Sequence, residues 1–205
     1  MSILAVHPGA CYHIESFESP RFAGYFDRLV RPEDLGSVDL HAFNVVLIPC
    51  RTPADRMEAS KEQLLAYLDQ GGTIVATGES ESQLFLPGIA FTPQPTNFWW
   101  WLTPGADLGV RIAASDHPLF ARLTQRDVTW HLHGWFDPSE GVQVLAVNGE
   151  GKPILYIDEV TTRGRMVITS LDPFFHHGSH FMPATTRFLE GFLPWMRNDL
   201  DRKAD

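Results

Sequence analysis

Residues 43–77 limit what this chain can fold into more than any other stretch. Phe43-Asn44-Val45-Val46-Leu47-Ile48 is apolar on both faces and is stopped at Pro49-Cys50. That pattern belongs to a strand in a parallel sheet covered on both sides. Ser60-Lys61-Glu62-Gln63 has the spacing of a capping box, and Leu64, Leu65 and Leu68 continue it as an amphipathic stripe. Gly71-Gly72 ends that helix, and Thr73-Ile74-Val75-Ala76-Thr77 is a second buried strand. Strand, helix and strand at this spacing make a right-handed βαβ unit.

The remaining segments extend the unit on both sides. Residues 2–7 read as a short buried strand closed by His7-Pro8-Gly9. Ser19-Pro20 is a helix start signal, and Phe22, Tyr25, Phe26 and Leu29 follow at helical spacing. Residues 87–115 carry four prolines and the run Phe98-Trp99-Trp100-Trp101, which predicts a long excursion over the sheet. Strands are expected at 128–135, 142–147, 153–158 and 166–171, and the Asn148-Gly149 turn implies an antiparallel hairpin. A last helix is predicted from about Pro183 to Asn198, with Phe188, Phe192, Leu193 and Trp195 inward, before a polar, fraying tail from Asp199. The expectation is one α/β domain over 1–205, with a mixed, mostly parallel sheet, antiparallel in its C-terminal part, and helices on both faces.

Charge and cysteine content narrow the partners. Sixteen Lys and Arg stand against 25 Asp and Glu, a net charge of −9 with no basic run. Nucleic acid and anionic membrane surfaces are therefore not expected partners. No stretch approaches the ~18 apolar residues of a membrane span. Residues 1–6 lack the basic start of a signal peptide, and their apolar run is cut at His7. Cys11 and Cys50 are too few for a disulfide framework and read as reduced thiols, so a cytoplasmic location is expected.

Several segments together resemble a known family. Phe43 to Cys50, Ser60 to Gly72 and the run Gly71 to Gly78 resemble the core of the class I glutamine amidotransferase-like fold. Asp116-His117-Pro118-Leu119 and Arg163-Gly164-Arg165 leading into Met166 to Leu171 are closer to its ThuA-like branch, named for trehalose utilisation. The resemblance spans roughly residues 40 to 195. It implies a flavodoxin-like three-layer sandwich with a site at the carboxyl ends of the strands, and a small carbohydrate as substrate. In glutamine amidotransferases a cysteine nucleophile occupies the position matching Gly78. With no side chain there, covalent thiol catalysis is impossible, and this chain shares that lack with ThuA-like proteins.

The chemistry left for the site is imidazole and carboxylate. Asp172, His176, His177 and His180 follow the predicted central strand, where open α/β sheets place their ligands. Glu79 leaves the neighbouring strand end. Glu79, Asp172, His176 and His177 are the expected acid–base residues, and His177 with His180 is a candidate pair for a divalent metal. The alternative for the histidines is a solvated polar loop. His131 and His133 share a strand face and could line the pocket or point into solvent. His13 could reach the same crevice from the first strand's exit or be a hydrogen-bonded structural residue. Trp100 and its neighbours could stack on a substrate, close the pocket, or pack in the core or between two copies in a homodimer. Two functions fit these residues: an enzyme acting on a small polar metabolite, or a non-catalytic binding or assembly module that keeps the fold.

Overall fold

The computed structural model describes residues 1–200. Its elements are β1 (Ile3–Val6), α1 (Cys11–Glu18), β2 (Arg28–Val30), β3 (Val45–Ile48) and α2 (Ala54–Glu58). They continue with α3 (Lys61–Asp69), β4 (Thr73–Thr77), β5 (Phe91–Pro93), β6 (Arg111–Ile112) and β7 (Gly134–Phe136). The chain closes with β8 (Gln143–Val147), β9 (Pro153–Asp158), β10 (Arg165–Thr169), α4 (Pro173–Gly178) and α5 (Pro183–Asn198).

Eight strands form one sheet in the order β2-β1-β3-β4-β10-β9-β8-β6, and β5 pairs with β7 in a small second sheet. From β2 to β10 every pairing is parallel, while β9, β8 and β6 join antiparallel. This is the mixed, mostly parallel sheet that the apolar runs and the Asn148-Gly149 turn predict. Alternate strand residues feed two cores. Ile3, Val45, Val75 and Val167 pack with Phe17, Phe174, Phe188 and Phe192 of α1, α4 and α5. Leu4, Val46, Ile74 and Met166 face the other way, onto Met57, Leu64 and Leu68 of α2 and α3. Burial on both faces is why the central strands carry no polar alternation. Three layers result, as in a flavodoxin-like sandwich.

Several sequence expectations change. The first helix precedes Ser19-Pro20 instead of following it. Ser19 is extended (φ −63°, ψ 147°), because a proline disfavours helical backbone in the residue before it. The strand expected over 128–135 forms only at Gly134–Phe136. The stretch after β10 is not a loop: Pro173 opens α4 at its first helical position. α4 packs closely on α1, since a Cβ at Gly178 would lie 1.9 Å from the Tyr12 carbonyl oxygen. Asp199, expected to fray, pairs with Arg122 at 2.6 Å, and Leu200 is buried. The rest of the predicted tail, 201–205, lies outside the described residues. Among those described, no helix is long and apolar enough to cross a membrane.

Candidate active site

The site lies where β4 and β10 end side by side, paired through Thr77 and Thr169. After Thr77 the chain turns at Gly78 (φ +60°), and Arg51 and Glu81 nearby also adopt left-handed backbone (φ 59° and 49°). Non-glycine residues held there carry strain, which concentrates at functional sites. A Cβ on Gly78 would lie 2.5 Å from the Cβ atoms of both Asp172 and Cys50. Any side chain at position 78 would thus collide with the base of Asp172.

Four side chains converge beyond this turn. His131, His133, Asp172 and His176 are all buried, and one nitrogen or oxygen from each lies within 4.8 Å of the others. His131 Nε2 is 2.8 Å from His176 Nε2. Asp172 Oδ1 lies 3.1 Å from His176 Nε2, and its Oδ2 lies 3.3 Å from His133 Nε2. Asp172 and His176 sit one helical turn apart, at the start and along the body of α4. His131 and His133 reach them from the segment just before β7, as two residues on one side of an extended chain. The donor set, three imidazoles and one carboxylate, suits proton transfer or a metal ion.

The outer nitrogen of His133 is fixed. Its Nδ1 lies 3.2 Å from both Glu79 Oε1 and Thr96 Oγ1. Thr96 donates its own proton to the Leu132 carbonyl (3.1 Å), so its oxygen accepts from His133 Nδ1–H. The Nε2 lone pair of neutral His133 therefore faces Asp172. Glu79 Oε2 in turn meets Arg51 at 3.4 Å. Phe98 stands edge-on to His131 at 4.8 Å and covers the cluster from the 87–115 excursion.

Burial and charge set the protonation states. Burial of Asp172 opposes its charge, but the close imidazoles of His133 and His176 override it and hold the carboxyl at about 2. Burial also opposes protonation of His133, yet Asp172 and then Glu79 raise its pKa above the ordinary value. His131 is pushed down to about 4, by burial first and by His176 second. Cys50 is driven upward by burial and by Asp172, so its thiol stays protonated and inert.

The other candidates sit elsewhere. His13 Nε2 contacts the Cys50 carbonyl at 2.9 Å, and the ring is fully buried. His177 turns away from the cluster to Thr186 Oγ1 (2.8 Å), because successive helical residues point about 100° apart. His180 is exposed with its ring 6.4 Å from that of His177, so these two are not brought to the cluster. Trp100 instead lines a separate cavity of about 410 Å³ with Trp101, Trp130 and Phe181. Arg51 and Thr96 are site residues that the sequence does not single out, whereas Phe98 belongs to the aromatic run noted there. Arg51 leaves a signal, as the first charged residue beyond the strongest strand.

His13 makes the fold acid-sensitive. Burial holds its pKa at about 4, below the ordinary 6.5. Between those values the unfolded chain takes up a proton that the folded chain refuses. Stability is therefore complete above pH 6.5 and falls as pH drops toward 4, by about 3 kcal/mol at most from this group. Unfolding curves should show Tm falling by about 5–10 °C across that window, and less in His13→Gln. A flat wild-type profile would contradict this.

No family model matches the chain, and no curated protein matches its sequence. Solved structures do match. A cytoplasmic protein from Salmonella typhimurium LT2 superposes with a TM-score of 0.60 at 13% identity, over 97% of this chain and 100% of that one. A GMP synthase-like protein from Thermoplasma acidophilum gives 0.56 at 12% identity, over 94% and 92%. The chain shares the fold of these proteins. An exo-beta-1,4-mannosidase from Opitutaceae bacterium strain TAV5 gives 0.53 at 13% identity, over 96% of this chain but 36% of that one. At such identities the likeness is one of fold. Within that fold, Gly78 and the four-residue cluster stand side by side where β4 and β10 end.

Proposed function

We propose that the protein is a ThuA-like enzyme of the cytoplasm that acts on a small carbohydrate by acid–base chemistry, without a cysteine nucleophile. The contact between half-exposed Glu79 and buried His133 carries this reading. Glu79 opens onto a cavity of about 430 Å³ lined also by Arg51, Glu81, Gln83 and Phe136. Those groups offer charges and an amide to hydroxyls, and a flat apolar face to a ring. Glu79 accepts a proton from a substrate hydroxyl or a water in this cavity. His133 donates its Nδ1–H to this carboxylate and so holds it in place at the cavity. The substrate class is supported by the ThuA resemblance and by the mannosidase that shares the fold, both of them analogies.

The test is a panel of sugars, sugar acids and sugar phosphates incubated with protein and followed by NMR. Wild type should turn over at least one of them, and Glu79→Gln should lose at least about 100-fold of that rate with its Tm preserved. Undiminished turnover in Glu79→Gln would sink the assignment. One observation favours an assembly role as well: Trp99, Trp101, Leu102 and Phe181 are all more than 45% exposed and close in space. In that reading the patch pairs two copies of the chain, and sedimentation would find a dimer that Trp99→Ser with Trp101→Ser dissolves.

A further inference from the structure

We propose that His131, His133, Asp172 and His176 bind one divalent transition-metal ion, zinc foremost, as a centre of three nitrogens and one oxygen. This rests on the site assigned above and supplies its cofactor.

Three observations carry it. First, the inward atoms are orphaned. Both carboxylate oxygens of fully buried Asp172 and the Nε2 of His133 lack a formed hydrogen bond. Their contacts with one another have ion-pair distances without the angles of hydrogen bonds. Buried polar atoms are otherwise almost always satisfied, and leaving them so is costly. A cation at the point of convergence satisfies all of them together.

Second, the ring nitrogens point inward, and at His133 the inward one is the lone pair. His133 spends its Nδ1–H on Glu79 and Thr96, the carboxylate–histidine arrangement that orients a metal ligand. His131 and His176 bring their Nε2 atoms to 2.8 Å. Two neutral imidazoles cannot present lone pairs to each other at that distance unless a proton or a cation lies between them.

Third, the spacing suits a small ion. Metal–nitrogen bonds of about 2.0–2.1 Å in a tetrahedron separate the ligand atoms by about 3.3 Å. Here the four donor atoms all lie within 4.8 Å of one another, and three of the pairs, His131–His176, His176–Asp172 Oδ1 and His133–Asp172 Oδ2, stand at 2.8, 3.1 and 3.3 Å. Three imidazoles favour zinc, iron or cobalt over magnesium and calcium, which prefer oxygen. His177 and His180 are not part of the set.

The experiment uses the full chain without a histidine tag, stripped with chelator and dialysed against zinc or cobalt(II). Elemental analysis should find about one ion per chain, and cobalt should give the intense visible bands of a four-coordinate site. Zinc should raise the Tm of wild type. His131→Gln and His176→Gln should each lose at least about 10–100-fold in affinity, while His177→Gln, outside the cluster, binds as wild type. Substoichiometric metal at saturating zinc and cobalt overturns the proposal. So does full binding by the His131→Gln, His176→Gln double variant. Failure is separable from failure of the catalytic reading: a protein that binds no metal yet loses turnover in Glu79→Gln keeps the acid–base site without the ion.

Discussion

Gly78→Ala is expected to destabilise the protein by about 2–5 kcal/mol, a large part of the stability of an ordinary domain. Two costs add. The residue sits at φ +60°, where a side chain costs about 1–2 kcal/mol. Its new Cβ would also stand 2.5 Å from the Cβ atoms of Asp172 and Cys50, and 2.9 Å from the Asp172 Cα. Two of those three atoms are Cβ or backbone of Asp172, so a rotamer change cannot relieve the clash. The neighbouring strand ends would have to part, and overpacking of this kind costs about 1–3 kcal/mol. Urea unfolding measures the loss, and a variant within 1 kcal/mol of wild type would contradict the packing described. Gly78→Cys meets the same obstacle. A thiol placed at this position would therefore displace Asp172 before it could act.

The second large effect is an asymmetry within the buried cluster. Removing the imidazoles with His133→Ala and His176→Ala together, in metal-free protein at pH 7, should cost about 3–5 kcal/mol. Asp172 would then be a buried anion with neither of the partners that now hold it at about 2. Asp172→Asn should cost much less, because it leaves no buried anion in the pocket. The pH dependence gives the sign. In wild type the stabilisation from Asp172 is present above its ordinary value of 3.8 and is lost as pH falls toward 2. His133, raised by Asp172 and Glu79 against its burial, contributes in the other sense: its share is present below 6.5 and is lost as pH rises through its folded value. In the double variant Asp172 protonates on acidification, so its deficit relative to wild type should shrink at low pH. Urea midpoints at pH 7 and pH 4 test this, and a deficit that grows on acidification would refute it.

Much of this architecture is legible in residue order because the signals are local. The apolar run at 45–48, the glycine pair at 71–72 and the strand at 73–77 need only their neighbours to declare two buried strands and a helix. The absence of a side chain at Gly78 is likewise plain in the sequence. Proline is harder to read. Ser19-Pro20 ends a helix, whereas Asp172-Pro173 begins one. The same residue type serves both roles, and only the packing on either side selects between them.

The candidate site divides in the same way. The sequence alone determined the α/β class, the lack of a side chain at Gly78, and the presence of Glu79 and Asp172 with histidines near strand ends. Tertiary structure alone decided which imidazoles meet. His131 and His176 are 45 residues apart in the chain and 2.8 Å apart at their Nε2 atoms, while adjacent His176 and His177 have different partners, His131 and Thr186. Helical geometry separates the neighbours, and the fold of residues 130–136 over the end of β10 joins the distant pair. Sequence spacing records which groups are available, and long-range packing decides which of them share a low-dielectric pocket.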